Sequence, residues 1–207
     1  WEFVGHVFAR LEDNPAHCLE NGQQIYGLGM WAPSLRFHKG TFYLTFACND
    51  THKSLLFKAL DPAGPWERLE MGGFFYDSSL FFDDDDRVYI VHGNTTLRIT
   101  ELETETWGAR PGGLDRVIVE DKPGQRLGYE GAHLYKRNGK YYLFPCHMPA
   151  GSKYLKTEDC FLADSLTGPF RGKNILDDNM GYRDYGVAQG GMVDTPEGDW
   201  YAFMFQD

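Results

Sequence analysis

Two carboxylates, Asp77 and Glu130, stand at the same place in an internal repeat, and in two further copies that place is taken by Trp31 and Gln189. Burying two carboxylates together costs several kcal/mol unless they are paired or functional. One carboxyl group kept protonated beside another that stays ionised can donate a proton to a leaving group, which is general acid chemistry. Trp31 offers a flat apolar wall, and Gln189 a donor and an acceptor. An apolar wall with a few converging polar groups is the usual make-up of a ligand site.

Four segments superimpose without a gap, beginning at Trp31, Asp77, Glu130 and Gln189, and each places a Tyr twelve residues on, at Tyr43, Tyr89, Tyr142 and Tyr201. Each reads as an apolar strand, a polar turn of about four residues and a second apolar strand, the signature of a hairpin. The turn ends in Gly40, Gly139 and Gly198, with Asp86 in the second copy, where a positive φ is expected. A second element recurs between hairpins: the run from Ala59 to Trp66 resembles that from Ala163 to Phe170, each ending in Gly-Pro-aromatic and each leading into a fourth strand. Repeat starts 46, 53 and 59 residues apart, with four strands per unit, predict the blades of a β-propeller. Helical periodicity is scarce throughout, so the fold class is all-β. In a propeller the innermost strands line the central channel, which would bring the four repeat starts together. Small neighbours, Ser78, Ser79, Gly131, Ala132, Gly190 and Gly191, are expected to leave room for a ligand to approach the backbone.

Composition narrows the partners. With 207 residues, 42% hydrophobic and 15% aromatic, the chain can bury a full core and reads as one globular domain or a large piece of one. A net charge of −10 without a basic stripe argues against nucleic acid. No run approaches the roughly 18 to 20 apolar residues of a membrane span, so no membrane partner is expected. Cys18, Cys48, Cys146 and Cys160 show no C-x-x-C spacing and read as reduced thiols. The acidic run Asp83 to Asp86 falls in a hairpin turn and lacks the wider ligand spacing of a calcium loop, so it reads as a solvated turn and no metal ligands are assigned.

The motifs Trp31-Ala-Pro-Ser, Tyr76-Asp77-Ser-Ser, Tyr129-Glu130-Gly-Ala-His and Gln189-Gly-Gly-Met-Val resemble, in the right order, the blade starts of glycoside hydrolase family 43. The resemblance covers nearly the whole chain. It implies a five-bladed β-propeller, truncated before or within the first blade and in the last. It further implies an inverting hydrolysis of plant-cell-wall pentosans, of the β-xylosidase or α-L-arabinofuranosidase type, with an oligosaccharide or polysaccharide as substrate. Glu130 matches the family's general acid and Asp77 the carboxylate that tunes it. The general base Asp belongs to the first blade; Trp1 to Arg10 resembles that blade's close, which puts the base upstream of Trp1. Ser78 follows Asp77 where the family usually has Pro, and Gln189 stands in place of a common His. No cofactor is required; a structural calcium ion in the central channel is the one metal the resemblance allows.

Further substrate contacts are assigned to Trp31 and Gln189, to His133 beside the third blade start, and to Arg183 in the Gly and Tyr-rich loop before Gln189. Two alternatives stand beside this reading: a non-catalytic propeller that binds carbohydrate or protein, and a retaining fructan or sucrose hydrolase. The latter family usually carries Arg-Asp-Pro and Glu-Cys-Pro at its blade starts, unlike Tyr76-Asp77-Ser78 and Glu130-Gly131.

Overall fold

The computed structural model describes residues 2–151, 155–183 and 185–206. Its strands form antiparallel sheets joined in chain order, as short aromatic and β-branched runs punctuated by turns require. The first sheet holds β1 (Ser34–His38), β2 (Thr41–Cys48), β3 (Lys53–Ala59) and β4 (Glu67–Glu70), paired in that sequence. The second holds β5 (Ser79–Phe82), β6 (Val88–His92), β7 (Thr96–Glu103) and β8 (Gly108–Ala109), with β9 (Asp115–Glu120) also on β7. The third holds β10 (Leu127–Arg137), β11 (Lys140–Met148), β12 (Thr157–Ala163) and β13 (Arg171–Leu176). The fourth is the hairpin of β14 (Val187–Asp194) and β15 (Trp200–Gln206).

The hairpins fall where the repeat puts them. Gly40, Gly139, Gly198 and Asp86 all have positive φ, between 66° and 89°. Lys39 and Asn138, just before two of these glycines, are also left-handed. Two successive left-handed residues form the turn whose twist matches antiparallel strands. β4 starts directly after the first Gly-Pro-aromatic element and β13 directly after the second. Asp83 to Asp86 is a hairpin turn, with Asp85 paired to Arg87 and Asp86 to Lys39. Asp83 is buried, so only part of that run is solvated.

The chain divides into two compact units, Trp1–Ile90 with Glu101–Gly113, and Val91–Thr100 with Leu114–Asp207. In the first unit, one core joins Leu56, Phe75, Leu80, Val88, Ile90, Leu102 and Trp107. A second joins Leu11, Phe46, Cys48, Leu55 and Phe57. The segment ahead of Leu11 carries no strand among its described residues; its Phe8 ring stacks on Phe57 at 5.2 Å. Cys48 and Cys146 are buried free thiols, and Cys18 and Cys160 are free and half-buried. No helix among the described residues is long and apolar enough to cross a membrane.

Candidate active site

Each repeat start lies in, or two to three residues ahead of, the first strand of its sheet, where the backbone is irregular. Pairing slips by one residue between Glu130 and His133 on β10, and between Ala188 and Gly190 on β14. In the first sheet it slips between the Met30–Cys48 bridge and the Ser34–Thr45 pair. Asp77, Gly131 and Gln189 are left-handed, with φ of 45°, 59° and 60°. Such a bulge turns a side chain out of the alternation of its strand, a common device beside active sites. Repeat matching found the position; its bulged backbone is legible only in the structure.

In the first unit, Asp77 is 6% exposed, between Phe75 and the equally buried Ser78 and Ser79. Trp31 is 38% exposed. Its N–H donates to the Ala47 carbonyl at 2.9 Å, and its ring lies 6.5 Å from that of Tyr76. Trp31 lines a cavity of about 380 Å³ with His17, Tyr26, Leu28 and Met30. Behind it, ligand atoms of His17, Cys48 and Asp50 lie within 4.8 Å of one another. His17 Nε2 is hydrogen-bonded to both Asp50 oxygens at 3.0 and 3.1 Å, which ties residue 17 to the end of the first hairpin.

The second unit holds Glu130, His133, Arg183 and Gln189. Glu130 is 9% exposed, and its Oε2 accepts a hydrogen bond of 2.9 Å from Asn94 Nδ2. Asn94 lies in the turn between β6 and β7, outside the repeat motifs, and the sequence reading missed it. The Gly93-Asn94 turn dipeptide was its only local signal. On the opposite face of the same strands the Tyr129 hydroxyl donates to Asp159 at 2.5 Å, and the Tyr129 ring stacks on His147 at 4.4 Å. His147 Nδ1 meets Asp121 at 2.9 Å. Burial and the Asp159 carboxylate raise the phenol pKa, keeping Tyr129 neutral. This network clamps β10 from behind at the residue before Glu130.

Gln189 is brought to Glu130's neighbour: a Cβ added to Gly131 would lie 2.8 Å from Gln189 Cγ. Beside Gly131 the expected space is filled by the protein's own Gln189 side chain. A Cβ on Gly190 would meet the Phe203 carbonyl at 1.8 Å, and one on Gly191 the Tyr135 hydroxyl at 2.8 Å. These glycines permit close approach of the protein to itself, which a sequence cannot distinguish from approach of a ligand. His133 is half-buried, its ring 6.4 Å from that of Tyr135. Arg183 is exposed in a turn, its guanidinium 4.9 Å from the Tyr182 ring, and no described contact joins it to Glu130 or Gln189. Gln189 Oε1 accepts from Lys156 Nζ at 3.4 Å. An ammonium beside this oxygen opposes a second cation there, so the arrangement of Gln189 disfavours a calcium ligand.

Four antiparallel sheets of this connectivity, with Glu130 buried at a bulge of the third, match a known family at residues 1–206: glycosyl hydrolases family 43. The chain belongs to this family. The putative beta-xylosidase of Xylanibacter ruminicola is 27% identical over 216 residues, covering all of this chain and 38% of that protein. The xylosidase/arabinosidase of Butyrivibrio fibrisolvens is 31% identical over 85% of this chain and 37% of its own length. Among solved structures, a bifunctional GH43-CE protein of Bacteroides eggerthii superimposes with a TM-score of 0.85 at 36% identity, over 99% of this chain and 26% of that one. The family 43 chain thus covers part of a propeller, and spans less than two fifths of the length of these relatives.

Proposed function

We propose that the full-length protein hydrolyses O-glycosidic bonds of plant-cell-wall pentosans with inversion, as a β-xylosidase or α-L-arabinofuranosidase. The observation that carries this reading is the buried Glu130, set at a strand bulge with one oxygen held by Asn94. Family relatives named xylosidase and xylosidase/arabinosidase support the substrate class. In this reading Glu130 protonates the departing glycosidic oxygen while a base carboxylate activates water on the opposite face of the sugar, the arrangement of inverting glycosidases. In this reading the base is a carboxylate other than those at the four repeat starts, Trp31, Asp77, Glu130 and Gln189.

Glu130→Gln in the full-length protein should lower turnover of an unactivated pentoside by about 10²- to 10⁴-fold. Retention of full activity would refute the assignment. Asp77 is read as the tuning carboxylate, whose negative charge raises the proton affinity of the acid. Asp77→Asn should therefore lower turnover and move the alkaline limb of the rate profile to lower pH, whereas an unmoved limb would remove that role.

A further inference from the structure

The register of the third sheet aligns three side chains that the sequence keeps far apart. Glu130 on β10 pairs with Cys146 on β11, and Cys146 pairs with Glu158 on β12. Directly opposed residues share a face of a sheet, so Glu158 stands in the same row as Glu130, two strand spacings or about 9.5 Å away. Glu158 is 0% exposed. Its Oε2 accepts the backbone N–H of Gln189 at 2.9 Å, and its Oε1 has no hydrogen-bond partner.

That single contact falls at a sensitive place. Gln189 is the left-handed residue of the β14 bulge, where pairing to β15 slips by one residue. A bulged residue leaves the ladder, and its N–H needs another acceptor. Glu158 provides it, and the Gln189 side chain is then held against Gly131, the neighbour of Glu130. We propose that Glu158 is a positioning residue, which fixes the β14 bulge and so places Gln189 for contact with the sugar beside Glu130. This rests on the glycosidase reading above.

The same carboxyl makes the placement depend on pH. Burial, and after it the charge of Asp159, raise the pKa of Glu158 to about 7, against the opposing pull of the Gln189 N–H. Around it stand Asp159 and Cys160 on its own strand, Lys156 just ahead, Cys146 and His147 on β11 and Glu130 on β10; β13 contributes Leu176 and β14 the neutral Gln189. Above neutrality an anion with an unpartnered oxygen is buried at the bulge, which favours local opening toward water.

The test compares wild type, Glu158→Gln and Glu158→Leu in the full-length protein, on aryl xylosides and arabinofuranosides across neutral pH. Wild-type KM should rise as pH passes about 7. Glu158→Gln, which keeps an acceptor without a titrating charge, should hold the low-pH KM throughout. Glu158→Leu should raise KM about tenfold at every pH with a smaller change in kcat. A KM unchanged in the Leu variant, or a pH profile shared by wild type and the Gln variant, would overturn the proposal and leave the glycosidase reading standing. Hydrogen exchange at the Gln189 amide gives an answer without turnover. It should be faster in Glu158→Leu than in Glu158→Gln; equal rates would overturn the positioning role even if no glycoside were cleaved, the result that would instead refute the proposed function.

Discussion

Asn94 donates to one oxygen of Glu130, which favours the other oxygen as the site of the proton in a neutral Glu130. A donor of this kind fixes the rotamer of the acid and favours its ionised form. Asn94→Leu should therefore have two effects: turnover about tenfold lower through misorientation, and an alkaline limb moved to higher pH because the carboxyl binds its proton more tightly. The pH–rate profile separates this from a folding defect, which would lower the whole curve without moving it. The same measurement distinguishes Asn94 from Asp77, whose substitution is expected to move the limb the other way.

At the scale of the strand, one β-hairpin uses glycine for two different reasons. Gly198 has φ of +89° and open space around its missing side chain, so Gly198→Ala should cost only backbone strain, about 1–2 kcal/mol. Gly190 has an ordinary φ, but its Cβ would lie 1.8 Å from the Phe203 carbonyl on β15. Relieving that overlap means separating the two strands next to the Gln189 bulge, and Gly190→Ala should cost about 3 kcal/mol or more. Urea unfolding midpoints should rank the variants in this order, with Gly190→Ala also losing activity. Both glycines were legible as repeat positions; only the turn glycine revealed its purpose there, because turn chemistry is local and the cross-strand contact is not.

At the scale of the whole molecule, most ion pairs among the described residues have at least one exposed member. Lys140–Asp164 and Lys39–Asp86 are between half-exposed or more exposed side chains, and pairs of this kind contribute little. The larger electrostatic lever is the buried Glu158. Its pKa is raised from 4.5 to about 7 on folding, so the folded state binds this proton more tightly than the unfolded chain. The associated stability is fully present below about pH 4.5 and is lost as pH rises to about 7, a difference of about 3 kcal/mol. Glu158→Gln should remove this slope, so that the variant gains on wild type between those limits and is the more stable protein at alkaline pH. Equilibrium denaturation across that range measures the difference.

The hairpins, the turn glycines, the Gly-Pro-aromatic lead-ins to β4 and β13, and the equivalence of Trp31, Asp77, Glu130 and Gln189 could all be read from the residues alone. All of these follow from local chemistry repeated at a recognisable spacing. Pairing between distant segments is what sets Glu158 in a row with Glu130, brings Asn94 to Glu130 from another turn, and lays Gln189 rather than open space against Gly131. A bulge shifts register by one residue and re-aims a side chain without leaving a compositional mark. The repeat therefore located the carboxylates, and the Asn94 contact to Glu130 emerged only when distant segments were brought together.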